Sequence, residues 1–375
     1  MGGGPGLVKH QLLVGAAEFW SAAAADIAGA RDRVLVQAMT FEADAAGTAV
    51  FDAIAASTAA DRRILVDSYS RMVVNDRFVL SPRRLTDRAF RAEVRATRLL
   101  FRDAGRHGVA VRRTNPVGRN PLRYGVRNHK KLLIVDDIAY LGGLNFSDHN
   151  FAWHDMMVRM EDATAAAFLA DDFAATWTGT PRPALHARAA LTLAALDGRT
   201  NHRGYAPLAD AIAAAHRSIV VISPYPSFPF MDWLDAAARR GVAVQILTPR
   251  DSNKPIVRHA LLARAPVAYL TIRLTPGMTH LKAMLIDDSV LVTGSTNFDF
   301  ASYVANEEYL ALIRDEALVA DFSARVLDPA HRASEDGAPL RPSRLRGAAA
   351  TAGLRIAAAA IAPLARARRT VTDWD

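Results

Sequence analysis

Two kinds of hydrophobic pattern alternate along this chain, and each indicates one kind of secondary structure. Longer stretches carry apolar side chains three or four positions apart, which predicts helices with one buried face. Between them lie short, almost unbroken apolar runs, as in strands that are buried on both faces. In the first half, the predicted order is helix 19–30, strand 33–41, helix 48–58 and strand 63–67. In the second half, it is helix 208–216, strand 218–225, helix 231–240 and strand 243–248.

The same order in both halves predicts an α/β protein of two similar lobes. We place the first lobe at residues 8–178, a connector at 179–204 and the second lobe at 205–330. Each lobe is expected to close with a helix, and the connector to contain a short helical piece. These three helices are predicted at 163–177, 316–326 and 187–196.

Two surface segments have open interpretations. The first lobe contains an arginine-rich insertion, 71–113, with a predicted helix at 87–104. This helix is either a solvated surface helix or a collar over the functional site. The second lobe contains an aromatic, proline-rich loop at 224–233, which either receives lipid or packs against the neighbouring helix.

One motif occurs twice, once in each predicted lobe. Both copies read His-x-Lys-x4-Asp and continue into a small-residue turn and an asparagine. With 11 His, 5 Lys and 30 Asp in 375 residues, about 0.01 matches to the three spaced residues are expected by chance. Two matches therefore indicate an internal repeat. The repeated residues are His129, Lys131, Asp136, Gly143 and Asn145, and then His280, Lys282, Asp287, Ser295 and Asn297.

The spacing of the motif places its polar side chains together. Side chains two positions apart on a strand point to the same face, so each histidine should lie beside its lysine. The apolar runs 132–135 and 283–286 follow directly, which puts both pairs at the start of a core strand. The aspartates then begin a turn. The small residues after the second strand let a ligand approach the backbone, and each asparagine can point back towards it.

This set of groups suits a phosphodiester. One imidazole can attack phosphorus and form a covalent intermediate, and the other can protonate the leaving oxygen. Two lysines and two asparagines can stabilise the charge that develops on the phosphoryl oxygens. Neither a metal nor a cofactor is needed for this chemistry.

The paired motifs resemble those of the phospholipase D superfamily, and the surrounding residues resemble its cardiolipin synthase branch. The similar features are the Asn-Pro at 115–116, Gly142-Gly143-Leu144-Asn145, Trp153-His154-Asp155 and Asn306-Glu307-Glu308. The resemblance covers residues 8–330 and implies two pseudo-twofold-related α/β/α lobes with the active site at their interface.

The resemblance also implies residue roles and a reaction. It implies that His129 is the nucleophile that becomes a phosphohistidine and that His280 is first the general acid and then the base. Lys131, Lys282, Asn145 and Asn297 would bind the phosphoryl group, with Gly143 and Ser295 beside it. Asp136 and Asp287 complete the candidate catalytic set, but we expect them to order the hairpins rather than contact substrate. The implied reaction transfers a phosphatidyl group from a phospholipid donor to an alcohol acceptor.

Other functions remain possible from the residues alone. Water as the acceptor would make the protein a phospholipase D, and a nucleic-acid substrate would make it a phosphodiesterase or nuclease. A non-catalytic lipid-binding module at the membrane is the alternative outside enzymes. The intact histidines, lysines and asparagines argue against that last function. Oligomeric state is open.

Composition favours a protein that acts at a membrane surface. The formal net charge is +8, which suits an anionic lipid surface or a nucleic acid. The chain has no cysteine, so disulfides and thiolate metal sites are excluded. Neither a signal peptide nor a transmembrane helix is predicted, and we expect a cytoplasmic protein peripherally associated with the membrane.

The C-terminal segment 341–369 strengthens that expectation. It contains seven arginines and no acidic residue. Arg344, Arg355 and Arg366 recur every 11 residues and so share one face of a helix, opposite Leu354 and Ile361. This pattern predicts a basic amphipathic helix in a membrane interface, with these five residues as its membrane contacts, which makes lipid a better partner than nucleic acid. The alternative is a helix that packs on the protein itself.

Overall fold

The computed structural model describes residues 9–374 except for five single positions, 85, 119, 189, 265 and 368. Residue 8, where the first lobe is predicted to begin, and residue 368 of the predicted C-terminal helix lie outside the described residues.

Nineteen strands are present in the described part of the chain. Those of the first half are β1 (Lys9–Val14), β2 (Arg33–Ala38), β3 (Asp61–Asp67), β4 (Val73–Val74), β5 (Arg77–Phe78), β6 (Ala110–Thr114), β7 (Leu132–Val135), β8 (Ile138–Gly142) and β9 (Met156–Glu161). Those of the second half are β10 (Ala184–Arg188), β11 (Leu191–Asp197), β12 (Ser218–Ile222), β13 (Ala243–Pro249), β14 (Leu270–Thr275), β15 (Ala283–Ile286), β16 (Val290–Gly294), β17 (Glu307–Ile313), β18 (Glu335–Asp336) and β19 (Val371–Asp373).

Fourteen α-helices accompany these strands in the described residues. The first six are α1 (Gly15–Gly29), α2 (Ala45–Ala56), α3 (Tyr69–Met72), α4 (Arg88–Asp103), α5 (Asp148–Phe151) and α6 (Ala163–Trp177). The others are α7 (Asn201–Gly204), α8 (Ala206–Ala214), α9 (Phe230–Arg239), α10 (Pro255–Leu262), α11 (Phe300–Val304), α12 (Glu316–Phe322), α13 (Asp328–Ala333) and α14 (Arg344–Ala365). A π-helical stretch, Ser323–Leu327, joins α12 to α13.

Two large sheets repeat one topology, which confirms the predicted two-lobed α/β fold. The first sheet has the order β1-β9-β8-β7-β2-β3-β6-β19, and the second has the order β10-β11-β17-β16-β15-β12-β13-β14-β18. In the first sheet β2, β3 and β6 are parallel, and the motif strand β7 is antiparallel to β2. In the second sheet β12, β13 and β14 are parallel, and β15 is antiparallel to β12. The two motif hairpins therefore occupy equivalent positions.

The two sheets share a central hydrophobic core. Side chains from the inner faces of both sheets pack there with α6 and α12. On the outer faces, α1 and α2 cover the first sheet, and α8 and α9 cover the second. Successive side chains of a strand point to opposite faces of the sheet. Leu35 of β2 therefore lies in the central core, whereas Val34 and Val36 face α1 and α2. The central core fixes the two lobes against each other.

The predicted connector is wrong in one respect, because part of it belongs to the second sheet. Strands β10 and β11 replace the expected helix 187–196, and β11 pairs along its length with β17. The segment 187–196 has five alanines in ten residues, and alanine favours helices. Its residues nevertheless alternate as in a strand. Leu191, Leu193 and Ala195 pack in the central core, whereas Ala194 and Leu196 pack on the outer side.

The C-terminal helix packs on the protein, so two of its predicted membrane contacts are wrong. By length and apolar composition alone, α14 could span a bilayer. One face is nevertheless docked. Leu354 is only 6 % exposed and packs against Tyr225 and Val257 of the second lobe. Ile361 packs over Gly125 of the first lobe, where an added Cβ would lie 2.5 Å from its Cδ1.

The chain after α14 returns to the first sheet and ties the lobes together. Arg369 is buried, and its guanidinium donates to Ala305 O at 2.6 Å and to Asp197 O at 3.3 Å, both in the second half of the chain. Strand β19 then pairs antiparallel with β6. Trp374 packs against Phe101 of α4, with the ring centroids 4.6 Å apart. The C-terminal segment is therefore part of the folded body.

Candidate active site

The two motif histidines line one pocket between the lobes, and a carboxylate from the opposite lobe holds each of them. His129 Nδ1 lies 3.0 Å from Glu308 Oε2. His280 Nδ1 lies 2.7 Å from Asp155 Oδ2. The backbone N–H of each histidine also donates to a carbonyl of the opposite lobe, at 2.9 Å. With Nδ1 occupied on both rings, Nε2 is the nitrogen left for a ligand.

The lysines lie beside their histidines, as the spacing predicts. Lys131 Nζ donates to the carbonyl oxygen of His129 at 2.8 Å, and Lys282 Nζ donates to that of His280. Lys130, between the members of the first pair, points to the other face and forms an ion pair with Asp172 of α6. The alternation of side chains that the motif implies is therefore present.

Burial lowers the proton affinity of all four basic groups. It lowers the pKa of His129 to about 4 and that of His280 well below its usual value. It also lowers the pKa of Lys131 to about 7 and that of Lys282 to about 8. Each lysine further lowers the pKa of both imidazoles by repulsion. A bound anion would raise these four pKa values again and favour the charged forms, which in turn stabilise the anion.

The pocket has a volume of about 230 Å³ and is lined by both lobes. The predicted Asn145 and Asn297 line it together with both histidines. Asn145 is fixed because its Oδ1 accepts from Thr40 N at 3.2 Å. Asn297 Oδ1 is buried and has no hydrogen-bond partner among the described residues. Both amides therefore lie where the sequence predicts them, beside the imidazoles.

Asp136 and Asp287 order the hairpins and are not in the pocket. Asp136 accepts backbone N–H donors from Arg31 and the next two residues at 2.9–3.0 Å. Asp287 accepts the same three bonds from 216–218 at 2.8–3.1 Å. Partial burial would raise the pKa of each carboxyl, but these bonds lower it below its usual value. Placing these two residues in the catalytic set is therefore wrong, whereas the expectation that they order the hairpins agrees with these contacts.

Gly143 and Ser295 contact the orienting carboxylates, which corrects their predicted role at the phosphate. The Ser295 hydroxyl donates to Glu308, and Ser302 Oγ donates to the other oxygen of Glu308 at 2.7 Å. At the equivalent position, a Cβ on Gly143 would lie 2.2 Å from Asp155 Oδ1. Gly143 thus leaves space for Asp155 but offers it no hydroxyl. The backbone N–H of both residues is bonded within the sheet.

A buried network of polar side chains stabilises the backbone just before the first motif. Arg127 donates to Asp67 at 2.7 Å, and Asp67 also accepts from Asn128 N at 2.7 Å. Asn115 Nδ2 donates across the lobe boundary to Glu307 Oε1 at 2.9 Å. Because Glu307 precedes the carboxylate that holds His129, this network links the lobe interface to the site.

The sequence has a clear match among known protein families. It matches the family described as "Cardiolipin synthase, PLD-like domain" over residues 24–177 and 208–327, which is most of the chain. The chain belongs to this family. As a cardiolipin synthase-type, phospholipase D-like chain, it carries the two His-x-Lys-x4-Asp motifs in the two matched segments.

Individual relatives agree with the family. The chain is 28 % identical over 257 residues to cardiolipin synthase A of Yersinia pseudotuberculosis and of Yersinia pestis. The match covers 60 % of this chain and 52 % of those proteins. The chain therefore spans about half the length of the curated relatives it matches.

Solved structures confirm the fold. Phosphatidylserine synthase of Haemophilus influenzae has a TM-score of 0.66 at 14 % identity, covering 94 % of this chain and 95 % of that one. Polyphosphate kinase of Porphyromonas gingivalis has a TM-score of 0.57 at 13 % identity, covering 94 % and 56 %. Because proteins with such different names share the fold, the fold alone does not identify the substrate.

Asp155 and Glu308 belong to the sequence features that resemble the family, but no role in the site is predicted for them from the sequence. A signal for them was present. Asp155 follows Asn145 by ten residues, and Glu308 follows Asn297 by eleven, so the internal repeat places an acidic residue at equivalent positions beside each motif. Two acids at matching positions of a repeat, next to an apolar strand, indicate buried carboxylates that orient the histidines.

Proposed function

We propose that this protein transfers a phosphatidyl group from a phospholipid donor to an alcohol acceptor through a phosphohistidine. The observation that carries the proposal is the pair of imidazoles in one pocket, each held at Nδ1 by a carboxylate. Two buried lysines lie beside them. A nucleophile, an acid–base group and positive charge are the three components that phosphoryl transfer through nitrogen requires.

The reaction proceeds in two displacements. His129 Nε2 attacks phosphorus, the bond from phosphorus to the headgroup oxygen breaks, and that oxygen takes the proton carried by His280. The acceptor hydroxyl then gives its proton to His280 while its oxygen attacks phosphorus, and the phosphorus–nitrogen bond to His129 breaks. His280 ends protonated, as it began, so both histidines are restored.

The two carboxylates differ in a way that supports this division of roles. Burial would raise the pKa of Glu308, but its interaction with the His129 ring, the nearby Lys131 and the hydrogen bond from Ser295 lower that pKa below its usual value. Burial raises the pKa of Asp155, which lacks a serine hydroxyl because Gly143 stands in place of Ser295. An ionised Glu308 keeps the ring hydrogen of His129 on Nδ1 and leaves Nε2 free to attack.

The charge of the substrate completes the protonation pattern. Repulsion from Lys282 and Lys131 is, after burial, what holds the pKa of His280 low. An anionic phosphodiester between the lysines offsets that repulsion and favours protonated His280. Substrate binding thereby favours the protonated form of His280, which acts as the general acid, and the two asparagine amides contact the phosphoryl oxygens.

Product analysis tests the reaction. Purified protein is incubated with mixed phospholipids and glycerol, and lipid products are identified by mass spectrometry. The proposal predicts new phospholipids in which the acceptor alcohol has replaced the donor headgroup. Phosphatidic acid as the sole product would show that the protein is a phospholipase D with water as acceptor. Cleavage of nucleic acid without lipid turnover would contradict phosphatidyl transfer.

An anionic membrane surface is the partner that supplies the phospholipid donor in this proposal. The outward face of α14 exposes Arg344, Arg355 and Arg366 together with Leu345 and Ile356, which are 81 % and 70 % exposed. Arginines beside exposed apolar side chains favour peripheral attachment to anionic lipid. The double substitution Leu345→Ser and Ile356→Ser should weaken co-sedimentation with anionic vesicles. Equal sedimentation of both forms would contradict this surface.

A further inference from the structure

Away from the two histidines, three carboxylates converge in the first lobe. Glu42 follows β2, Asp44 caps α2 and Glu93 lies in α4. One oxygen from each lies within 4.8 Å of the other two. No lysine or arginine nitrogen lies within 4.0 Å of these carboxylates in the part of the chain that the structure describes. The nearest basic group to Glu42 is His149, at 4.0 Å.

Glu42 is the unusual member of this cluster. It is 1 % exposed, and its Oε1 has no hydrogen-bond donor among the described residues. Burial lowers the pKa of His149, so the nearby imidazole is neutral and does not balance the charge. Burial and the charges of Asp44 and Glu93 raise the pKa of Glu42 to about 8. A buried acceptor without a donor requires either a proton or a cation.

The neighbouring groups add negative rather than positive charge. Asp148 donates its backbone N–H to Asp44 at 2.6 Å, and Asp76 contributes further repulsion to Glu42. Arg77 is the basic group that acts on Glu93, and it is exposed on the hairpin. Acidic groups therefore outnumber basic ones around the cluster, and one positive charge placed among the three oxygens would reduce the repulsion between them.

We propose that Glu42, Asp44 and Glu93 bind one hard divalent cation, such as Ca²⁺ or Mg²⁺. Only oxygen donors converge here, and these ions prefer carboxylate oxygens. Two oxygens bound to one Ca²⁺ at about 2.4 Å are at most about 4.8 Å apart, and the three carboxylate oxygens lie within 4.8 Å of one another. Asp44 accepts one backbone N–H on each oxygen, and each oxygen keeps a second lone pair for a metal.

The site would brace one wall of the active-site pocket. The second oxygen of Glu42 accepts from Asn75 N at 3.0 Å, in the turn between β4 and β5. The next residue, Asp76, lines the pocket and accepts from Asn253 Nδ2 of the second lobe at 2.8 Å. On the other side, Ala43 N donates to Thr97 of α4 at 3.0 Å. A cation at Glu42 thus joins the hairpin, α2 and α4, and the phosphoryl chemistry itself does not involve it.

Binding to metal-free protein tests the proposal independently of catalysis. Chelator-treated wild type is titrated with CaCl2 and with MgCl2 by calorimetry at pH 7.5, with KCl added to equal ionic strength. Glu42→Gln and Glu93→Gln should each weaken binding at least tenfold. Asp52→Asn, an exposed acid on α2, is the matched control and should bind as the wild type does. Glu93 is partly exposed, so its variant keeps the test valid if Glu42→Gln folds poorly.

Hydrogen exchange tests the link to the pocket. The cation should slow amide exchange in residues 72–80 of the wild type and leave it unchanged in Glu42→Gln. It should also raise the melting temperature of the wild type but not that of Glu42→Gln. Absence of millimolar binding to the wild type, or equal binding by all four proteins, would overturn the proposal. Glu42 would then hold a proton instead of a cation.

Discussion

Glu308→Gln keeps the size of the side chain that holds His129 and changes only its hydrogen bonding. The carboxylate accepts from His129 Nδ1 at 3.0 Å, from Ser302 Oγ at 2.7 Å and from the Ser295 hydroxyl. A carboxamide has one acceptor oxygen for these donors, and its nitrogen can donate to Nδ1. The ring hydrogen then moves to Nε2, which is the atom proposed to attack phosphorus.

The expected loss follows from comparable changes. Replacing the aspartate of a catalytic triad by asparagine fixes the wrong tautomer and costs about 10⁴-fold in kcat. Loss of a partner that only orients a metal-bound histidine costs about 10–100-fold. Glu308 fixes the tautomer but has two serine donors that keep the amide in place. We therefore expect a loss of about 10³-fold, or about 4 kcal/mol of activation free energy.

The assay is single-turnover release of nitrophenol from a soluble, short-chain nitrophenyl phosphodiester. This leaving group needs little help from a general acid, so the assay reports mainly attack by His129. Asp155→Asn, which disturbs the partner of His280, should slow this release less than tenfold but should slow the second displacement. The control is Glu316→Gln, an exposed residue of α12. Melting temperatures of the three variants check that they are folded.

Two outcomes would refute the reasoning. If Glu308→Gln releases nitrophenol within threefold of the wild-type rate, the carboxylate does not select the tautomer of His129. If Asp155→Asn is the slower variant in this step, the roles of the two histidines are reversed.

Three further predictions follow from the same geometry. His129→Ala should abolish the covalent adduct and turnover, whereas His280→Ala should still form an adduct with the nitrophenyl donor; an adduct mapped by mass spectrometry to His280 would contradict this. Because burial lowers the pKa of both imidazoles, the pH profile of kcat/KM should be bell-shaped with its maximum below pH 6.5. The profile of kcat, which reports the protein with substrate bound, should peak at higher pH. A kcat/KM maximum above pH 7 would contradict this prediction. Leu354→Ala should destabilise the protein by about 2–5 kcal/mol in chemical denaturation, whereas Leu345→Ala on the exposed face of α14 should change stability by less than about 0.5 kcal/mol; equal effects would mean that α14 is not docked.

The parts of the fold that the sequence predicts are those set by local pattern. Helix 163–177 has the predicted bounds, because a capping aspartate precedes it and alanine, leucine and phenylalanine recur on its buried face. His129 and Lys131 are neighbours because strand geometry requires it. Strand β11 was missed because a short apolar run fits both a helix and a strand, and its pairing partner β17 lies over a hundred residues away. Strand β10 pairs with β11 and was missed with it. The pattern of neighbouring residues does not reveal strand pairing between segments so far apart in sequence.

The C-terminal helix shows a different limit. Its apolar stripe would look the same whether it faces lipid or another protein surface, since both environments favour the same side chains. What decides the matter is the complementary surface, formed by Val257 and Tyr225 on one lobe and Gly125 on the other. The burial of Arg369 beyond the helix adds a polar anchor that a membrane helix would not need.

The crossed carboxylates give both lobes a part in the proposed reaction. Each lobe carries a complete His-x-Lys-x4-Asp motif, but the acid that orients its histidine comes from the other lobe. A lobe on its own would hold a histidine with neither a fixed tautomer nor a second imidazole. Docking of the lobes therefore creates the site, and contacts that hold the interface, such as Asn115 with Glu307 and Arg369 with Ala305, act on the chemistry through position. Substitutions at this interface should consequently lower turnover before they unfold either lobe, because a small shift between the sheets separates each histidine from its acid.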